Sequence, residues 1–308
     1  MKAIRIHEFG GPDVLRYEDI PESQPGPGEV RVRVIAAGVN PIDWKIRSGY
    51  MEIPLPMTVG SDVAGVVDAI GQGVDSFQPE DEVFGKASVG QGGYAEYTVV
   101  NSTQIAQKPK SIGFIESAAI PTAGLAAWQS LFDIAGLERG QTVLIHGAAG
   151  GVGSFAVQFA KWKGAYVIGT ASSKNAEFLK GIGCDEVIDY RNQQFEEIVS
   201  NLDVVLDTIG GDTLERSWGV LKPGGFLVTT VASIPEGTPQ KHGVRAERLM
   251  TQADGKELAQ IAAIIDERKI KPIVTTVLPL ADAQKAHEMS ESGHTRGKIV
   301  LRVAENPN

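Results

Sequence analysis

The sequence predicts an α/β chain built of two parts, a β-rich domain and a domain with a doubly wound parallel sheet. Three observations carry this. Residues 1 to about 120 break into short β segments separated by glycine and proline. From Gln141 onward, apolar strands alternate with helical patterns, the signature of βαβ units. Between the first of those strands and its helix lies a glycine-rich turn, "GAAGGVG", residues 147–153.

The elements follow in order. "EVRVRVIAAGV" alternates polar and apolar residues over 29–35, the period of a half-buried strand. "DVAGVVDAIG" and "GYAEYTVV" are similar. "NPID" reads as a turn with Asn as a local cap. Residues 143–145 form a buried strand and residues 155–162 the first helix. The strands "AYVIGTA", "DEVIDY", "DVVLDTIG" and "GFLVTT" follow, mostly separated by helical patterns such as "NAEFLKGIG" and "TLERSWGVL". Residues 232–243, "ASIPEGTPQKHG", read either as a linker or as a lid at the carboxyl edge of the strands, where α/β sheets bind ligands. "GVRAERLM" adds an edge strand. "KELAQIAAIIDERKI" is an amphipathic helix through Leu258, Ile261, Ile264 and Ile265, and "GKIVLRV" returns to strand character.

Composition bounds the function. The chain has 308 residues, 42% hydrophobic and 22% charged, which is ordinary for a globular protein and enough for two cores. A net charge of −9 argues against a broad nucleic-acid or anionic-membrane surface. No apolar run approaches the roughly 18 residues of a membrane span. "MKAIRIHEFGG" shows no apolar leader. The single cysteine, Cys184, excludes an internal disulfide framework and a thiolate zinc site. A reducing, cytoplasmic setting is expected.

Small residues at a strand-to-helix turn let backbone approach a pyrophosphate, and the helix N-terminus supplies N–H groups and a favourable dipole. A lone glycine pattern is weak. Here the preceding strand, the following helix and the βαβ series make it a Rossmann cradle of Gly147, Ala148, Ala149, Gly150, Gly151, Val152 and Gly153. An NAD-type fold ends its second strand in Asp or Glu, which holds the ribose 2′-hydroxyl. This chain has Thr170-Ala171-Ser172-Ser173-Lys174 there, with no carboxylate. Hydroxyls and a cation suit a 2′-phosphate, so NADPH is the expected cofactor. Ser172 and Ser173 also suit capping of the next helix, and both roles can coexist.

The stretch Gly140-Gln141-x-x-Leu144-x-x-x-Ala148-Ala149-Gly150-Gly151-x-Gly153-x-x-x-x-Gln158-x-x-Lys161 resembles the signature of the zeta-crystallin-like quinone oxidoreductases of the medium-chain dehydrogenase/reductase superfamily. "AAGVNPIDWKIRSG", "VGSDVAGVV", "EDEVFG", "GGYAEY", "IPTAGLAAW" and "GKIVL" fall in that family's order over nearly the whole chain. The resemblance implies a GroES-like fold for residues 1–120 and 268–308, with the Rossmann domain, 121–267, inserted between them. It implies Asn40 and Asp43 beside the nicotinamide and Thr122 at the same end of the cofactor. It implies Tyr190, within Asp189-Tyr190-Arg191, on the 2′-phosphate. It also implies a homodimer formed through a sheet edge.

Zinc-dependent relatives resemble "GVCHTD" where this chain has Gly38-Val39-Asn40-Pro41-Ile42-Asp43, and "GHE" where it has Gly60-Ser61-Asp62. His7, His146, His242, His287 and His294 show no ligand spacing. Asp62 reads as a carboxylate that tethers a loop, and no metal is expected. Without a Lewis acid the acceptor should already be electrophilic, a quinone or an α,β-unsaturated carbonyl. Asn40, Asp43, Lys45 and Tyr50 are the candidate catalytic residues. Asp43 is either a structural acceptor or an acid. Tyr50 either donates to a substrate carbonyl or is an exposed loop aromatic. Lys45 stands where many quinone oxidoreductases of the family carry an aromatic, and is similar to "NPVDxK" of the alkenal and enone reductases. It contacts the cofactor or an enolate-like oxygen, or it is solvated. The expected function is an NADPH-dependent, zinc-independent quinone oxidoreductase. An alkenal or enone double-bond reductase and a non-catalytic cofactor-binding protein are the alternatives.

Overall fold

The computed structural model describes residues 1–87 and 90–305; residues 88–89 and 306–308, inside the expected first domain, lie outside them. The chain divides into two compact units, Met1–Leu125 with Ala253–Asn308, and Ala126–Gln252. The first unit contains β1 (Lys2–Ile6), β2 (Arg16–Asp19), β3 (Glu29–Val39), β4 (Met57–Thr58), β5 (Asp62–Ile70), β6 (Glu82–Lys86), β7 (Tyr97–Asn101) and β8 (Ile105–Gln107). The second contains β9 (Thr142–His146), β10 (Tyr166–Ala171), β11 (Glu186–Asp189), β12 (Leu202–Asp207), β13 (Leu221–Thr229) and β14 (Arg245–Arg248). The chain then returns to the first unit as β15 (Val274–Pro279) and β16 (Lys298–Arg302).

Among the described residues, the second unit has one parallel sheet in the order β11-β10-β9-β12-β13-β14. That is the 3-2-1-4-5-6 order of a Rossmann fold. Its strands are apolar because helices cover both faces, and Leu144, Val205 and Leu227 are fully buried. β14 ends the sheet, pairing in parallel with β13, so "GVRAERLM" is the edge strand its pattern predicted.

The first unit holds a three-stranded sheet, β2-β1-β4, and a seven-stranded one ordered β15-β16-β3-β5-β6-β8, with β7 also paired to β3. Two registers in the larger sheet position the site. Ile299 lies opposite Val39, and Asp62 opposite Gly38, both antiparallel. The end of β3 and the starts of β5 and β16 therefore share one rim.

Four local expectations change. The Gly255–Asp266 helix belongs to the first unit, although the sequence boundary at 267/268 put it in the second. Its buried Leu258, Ile261, Ile264 and Ile265 face that unit, where it packs on β8, and Asp266 accepts from the Ser111 N–H at 2.8 Å. The first boundary moves likewise, from 120 to Leu125, inside the Pro121–Trp128 helix. The Pro/Gly-rich segment contains a short helix, Thr238–His242, bounded by left-handed Gly237 and Gly243. The His242 ring stacks on Trp218 with centroids 6.2 Å apart. "NPID" opens a helix, Pro41–Arg47, with proline in its first turn, where the missing N–H costs nothing. Among the described residues no helix is long and apolar enough to cross a membrane.

Candidate functional site

The glycine turn leaves β9 at His146 and enters the Gly151–Lys163 helix at its cap, Gly150. Gly147 has a positive φ of 67°. A Cβ on Gly153 would lie 2.3 Å from the Gly147 carbonyl oxygen, so any side chain there would push the turn off the helix. Ala148 and Ala149 are buried. The first helical hydrogen bond runs from Ser154 N–H to Gly150 O at 2.9 Å. The amides of Gly151, Val152 and Gly153 precede it and are those a helix leaves without an internal acceptor. The first turn carries no acidic residue. This backbone fits a pyrophosphate.

β10 and β11 run in parallel with Ala171 opposite Asp189. This brings Tyr190 beside the Ser172-Ser173-Lys174 corner, where the Tyr190 N–H donates to Ala171 O at 3.3 Å. Ser172 is buried, and Ser173, Lys174 and Tyr190 are exposed. The same register delivers a carboxylate that inspection of β10 alone did not reveal. This is Asp189, which lies close to Ser173. It accepts from the Arg191 N–H at 3.2 Å and from Asn192 Nδ2 at 2.7 Å.

In the first unit the shared rim carries a buried polar cluster. Asn40 and Asp43 are each 3% exposed. The Asn40 N–H donates to Asp43 Oδ2 at 2.8 Å, and the Tyr94 hydroxyl donates to the same oxygen at 2.9 Å. Burial pushes the Asp43 carboxyl up to about 7, and the charge of Asp62 adds to that; the Asn40 N–H, Tyr94 and Lys298 oppose it. Lys298 Nζ donates to Val39 O at 2.8 Å and to Asn40 Oδ1, and stands 3.8 Å from Asp62. Burial pulls the Lys298 ammonium below the usual lysine range. Asp62 accepts from the Thr122 N–H at 3.1 Å and from its hydroxyl at 2.5 Å, so it caps the start of the Pro121–Trp128 helix rather than tethering a loop. Asn40 Nδ2 is buried and has no partner among the described residues.

Gly60, at φ 83°, makes room for this cluster. A Cβ there would lie 2.2 Å from Tyr94 Cδ1, displacing the ring that reaches Asp43. Behind Tyr94, the His287 ring stands edge-on at 5.7 Å and is pushed down to about 3 by burial and the neighbouring Arg47. Arg47 is 1% exposed and is held by Gly10 O, His287 Nδ1 and Glu291.

The structure thus brings Asn40 and Asp43 together and joins Thr122 to them through Asp62. Lys45 and Tyr50 stand apart. Lys45 follows Asp43 by two residues, about 200° round the same helix, and its Nζ lies 5.6 Å from the Trp44 ring centroid. Tyr50 is 59% exposed. Tyr94, Lys298, Arg47 and His287 were not singled out from sequence. Lys298 left one signal, a cation opening the otherwise apolar "KIVL". Cys184 is buried, which pushes its thiol up to about 11.

A phosphate cradle on a 3-2-1-4-5-6 parallel sheet, in a chain with a separate β-rich unit bearing a buried amide and carboxylates, defines a nicotinamide-dependent oxidoreductase. Family models agree. "Alcohol dehydrogenase GroES-like domain" matches residues 26–110 and "Zinc-binding dehydrogenase" residues 182–301. The chain is 35% identical to 2-methylene-furan-3-one reductase of Solanum lycopersicum, over 98% of this chain and 79% of that one. It is 36% identical to the solved quinone oxidoreductase of Coxiella burnetii, with a TM-score of 0.92 over 98% and 99% of the two chains. For the Escherichia coli quinone oxidoreductase complexed with NADPH the identity is 31% and the TM-score 0.91, over 98% and 100%. The chain belongs to the zeta-crystallin-like quinone oxidoreductase branch of the medium-chain dehydrogenase/reductase superfamily.

Asp43 yields a prediction with a definite sign. Its folded pKa of about 7 exceeds the model-peptide value of 3.8. Its contribution to stability is therefore full below 3.8 and is lost as pH rises through about 7. Asp43→Asn removes that titration. Between about pH 4 and pH 7 wild type should lose stability relative to Asp43→Asn, by on the order of a few kcal/mol. Denaturant midpoints of both proteins at matched pH check this, and a constant difference across the range contradicts it.

Proposed function

We propose that this chain is a zinc-independent, NADPH-dependent reductase of quinones or α,β-unsaturated carbonyls. One observation supports the reading most. Asn40 spends its amide oxygen on Lys298 and keeps Nδ2 as a buried donor without a partner among the described residues. Such a donor suits a carbonyl oxygen that gains negative charge as it is reduced. The nicotinamide ring, when bound, supplies the hydride. The chain's own residues orient and protonate: Asn40 binds the developing oxyanion, and Asp43, which holds a proton near neutral pH, donates the one proton the reduction consumes. The apolar hollow formed by Ile42, Ile46, Met57 and Val59 beside Asp43 suits the hydrocarbon part of the acceptor. Lys45 and Tyr50 act from the periphery, tuning orientation.

The donor set argues against zinc chemistry. Asp62 is committed to Thr122 and Lys298, and among the described residues no three His, Cys, Asp or Glu side chains group as metal ligands. The relatives named for quinones and for an enone leave both acceptor classes to be assayed. Turnover of NADPH with 1,4-benzoquinone, 9,10-phenanthrenequinone, 2-alkenals and cyclic enones, unchanged by EDTA, is the expected result. Activity lost to EDTA and restored by zinc would overturn it. Tight cofactor binding without turnover of any acceptor would favour a non-catalytic cofactor-binding protein.

The preference for NADPH rests on the corner of Ser172, Ser173, Lys174 and Tyr190. Lys174 is the one cation among the four, so it carries the discrimination. Lys174→Ala should weaken NADPH binding about tenfold, the scale of one charge-assisted hydrogen bond, and leave NADH nearly unchanged. Fluorescence titration with both cofactors checks it; equal losses for the two would show that the corner does not read the phosphate.

The exposed side of β14 suits pairing with a second copy, as unpaired strand edges do. A two-fold homodimer is expected, and light scattering should give twice the chain mass at micromolar concentration. A monomer across that range would contradict it.

A further inference from the structure

We propose that Lys298 is a positioning residue that fixes which face Asn40 presents. This rests on the reading of Asn40 given above. The register of β16 against β3, Ile299 opposite Val39, sets Lys298 across from Asn40. A lysine ammonium has three donors and no acceptor. Only the amide oxygen of Asn40 can face it, so Nδ2 must point the other way. An asparagine amide has near-equal halves and turns over easily where its neighbours both donate and accept. Here the neighbour only donates.

The ammonium is itself held. It is 4% exposed, donates to Val39 O as well as to Asn40, and faces the Asp62 carboxylate at 3.8 Å. Asp62 is fixed in turn by the Thr122 N–H and hydroxyl. Lys298 touches no reacting atom in this scheme. It acts through Asn40, turning a two-faced amide into a donor of fixed direction, and the unpartnered Nδ2 is the product of that constraint.

The test uses the full chain with NADPH and 1,4-benzoquinone, and the variants Asn40→Ala, Lys298→Met, their double and Asn40→Asp. Each of the first two should lower kcat about tenfold, the loss of one oriented hydrogen bond, with cofactor affinity by fluorescence nearly unchanged. The double variant should be no worse than the worse single, because both remove the same oriented donor. In protein without cofactor, the Asn40 side-chain amide resonance, assigned by its absence in Asn40→Ala, should move in Lys298→Met. If Lys298→Met does not fold, Lys298→Gln, whose amide both donates and accepts and so no longer holds Asn40 one way, takes its place with the same expected loss, and Asn40→Asp tests the donor itself. It keeps an oxygen for Lys298 but has no N–H donor, and should be folded, bind cofactor and lose turnover as Asn40→Ala does. Losses that multiply to about a hundredfold in the double variant, or an unmoved amide resonance, would overturn the proposal while leaving Asn40 its role, whereas an active Asn40→Asp would remove both. Wild-type kcat in Asn40→Ala would remove that role and this inference together.

Discussion

Burying an ammonium costs several kcal/mol unless charge and hydrogen bonds meet it in place. Lys298 satisfies that condition with oxygen partners supplied by two places in the chain: Val39 O and Asn40 Oδ1 at the end of β3, and the Asp62 carboxylate at the start of β5. The first unit's polar rim depends on this meeting. The end of β3, the start of β5 and the start of β16 must reach the same edge for it to form. The C-terminal strand is therefore more than a returning edge of the sheet, since it carries the only cation within the Asp43–Asp62 group among the described residues.

The charge count explains the protonation states around it. Two buried carboxylates, Asp43 and Asp62, share one ammonium. Asp62 faces Lys298 and accepts from Thr122, so its negative charge is matched. Asp43 has neutral donors only, the Asn40 N–H and the Tyr94 hydroxyl, and burial outweighs them. Like charges in one apolar setting do not both ionise readily, and the less well matched carboxylate keeps its proton. The next group outward follows the same rule. Arg47 is paired with Glu291, and His287 beside it stays neutral because a second buried cation would have no partner.

Much of this was legible in the sequence, for identifiable reasons. The Rossmann unit announced itself through period and turn chemistry, which are local: an apolar strand, a glycine turn and a helix in sequence order. The GroES-like assignment came from resemblance, because irregular β segments have no comparable local signature. Asn40 and Asp43 were found through their motif. Tyr94 and Lys298 lay inside quoted motifs and were passed over, because their roles come from strand register, a long-range property. The Gly255–Asp266 helix showed its apolar stripe plainly, but a stripe does not say which core it covers.

The same distinction separates how the second unit holds a dinucleotide from how it chooses one. Backbone amides at a helix N-terminus recognise a pyrophosphate whatever the side chains beyond, so glycines suffice to disclose them. On the reading proposed above, the choice between cofactors falls to side chains at the ends of β10 and β11, which neighbour each other because the sheet is parallel and Ala171 lies opposite Asp189. That register sets the Asp189 carboxylate near Ser173. On the same reading, a 2′-phosphate at this corner meets one anion already in residence. Attraction from Lys174, Tyr190 and the serine hydroxyls would then act against a repulsion from Asp189. On that reading, preference between cofactors is a difference of two opposed electrostatic effects, weaker than in a site built from cations alone.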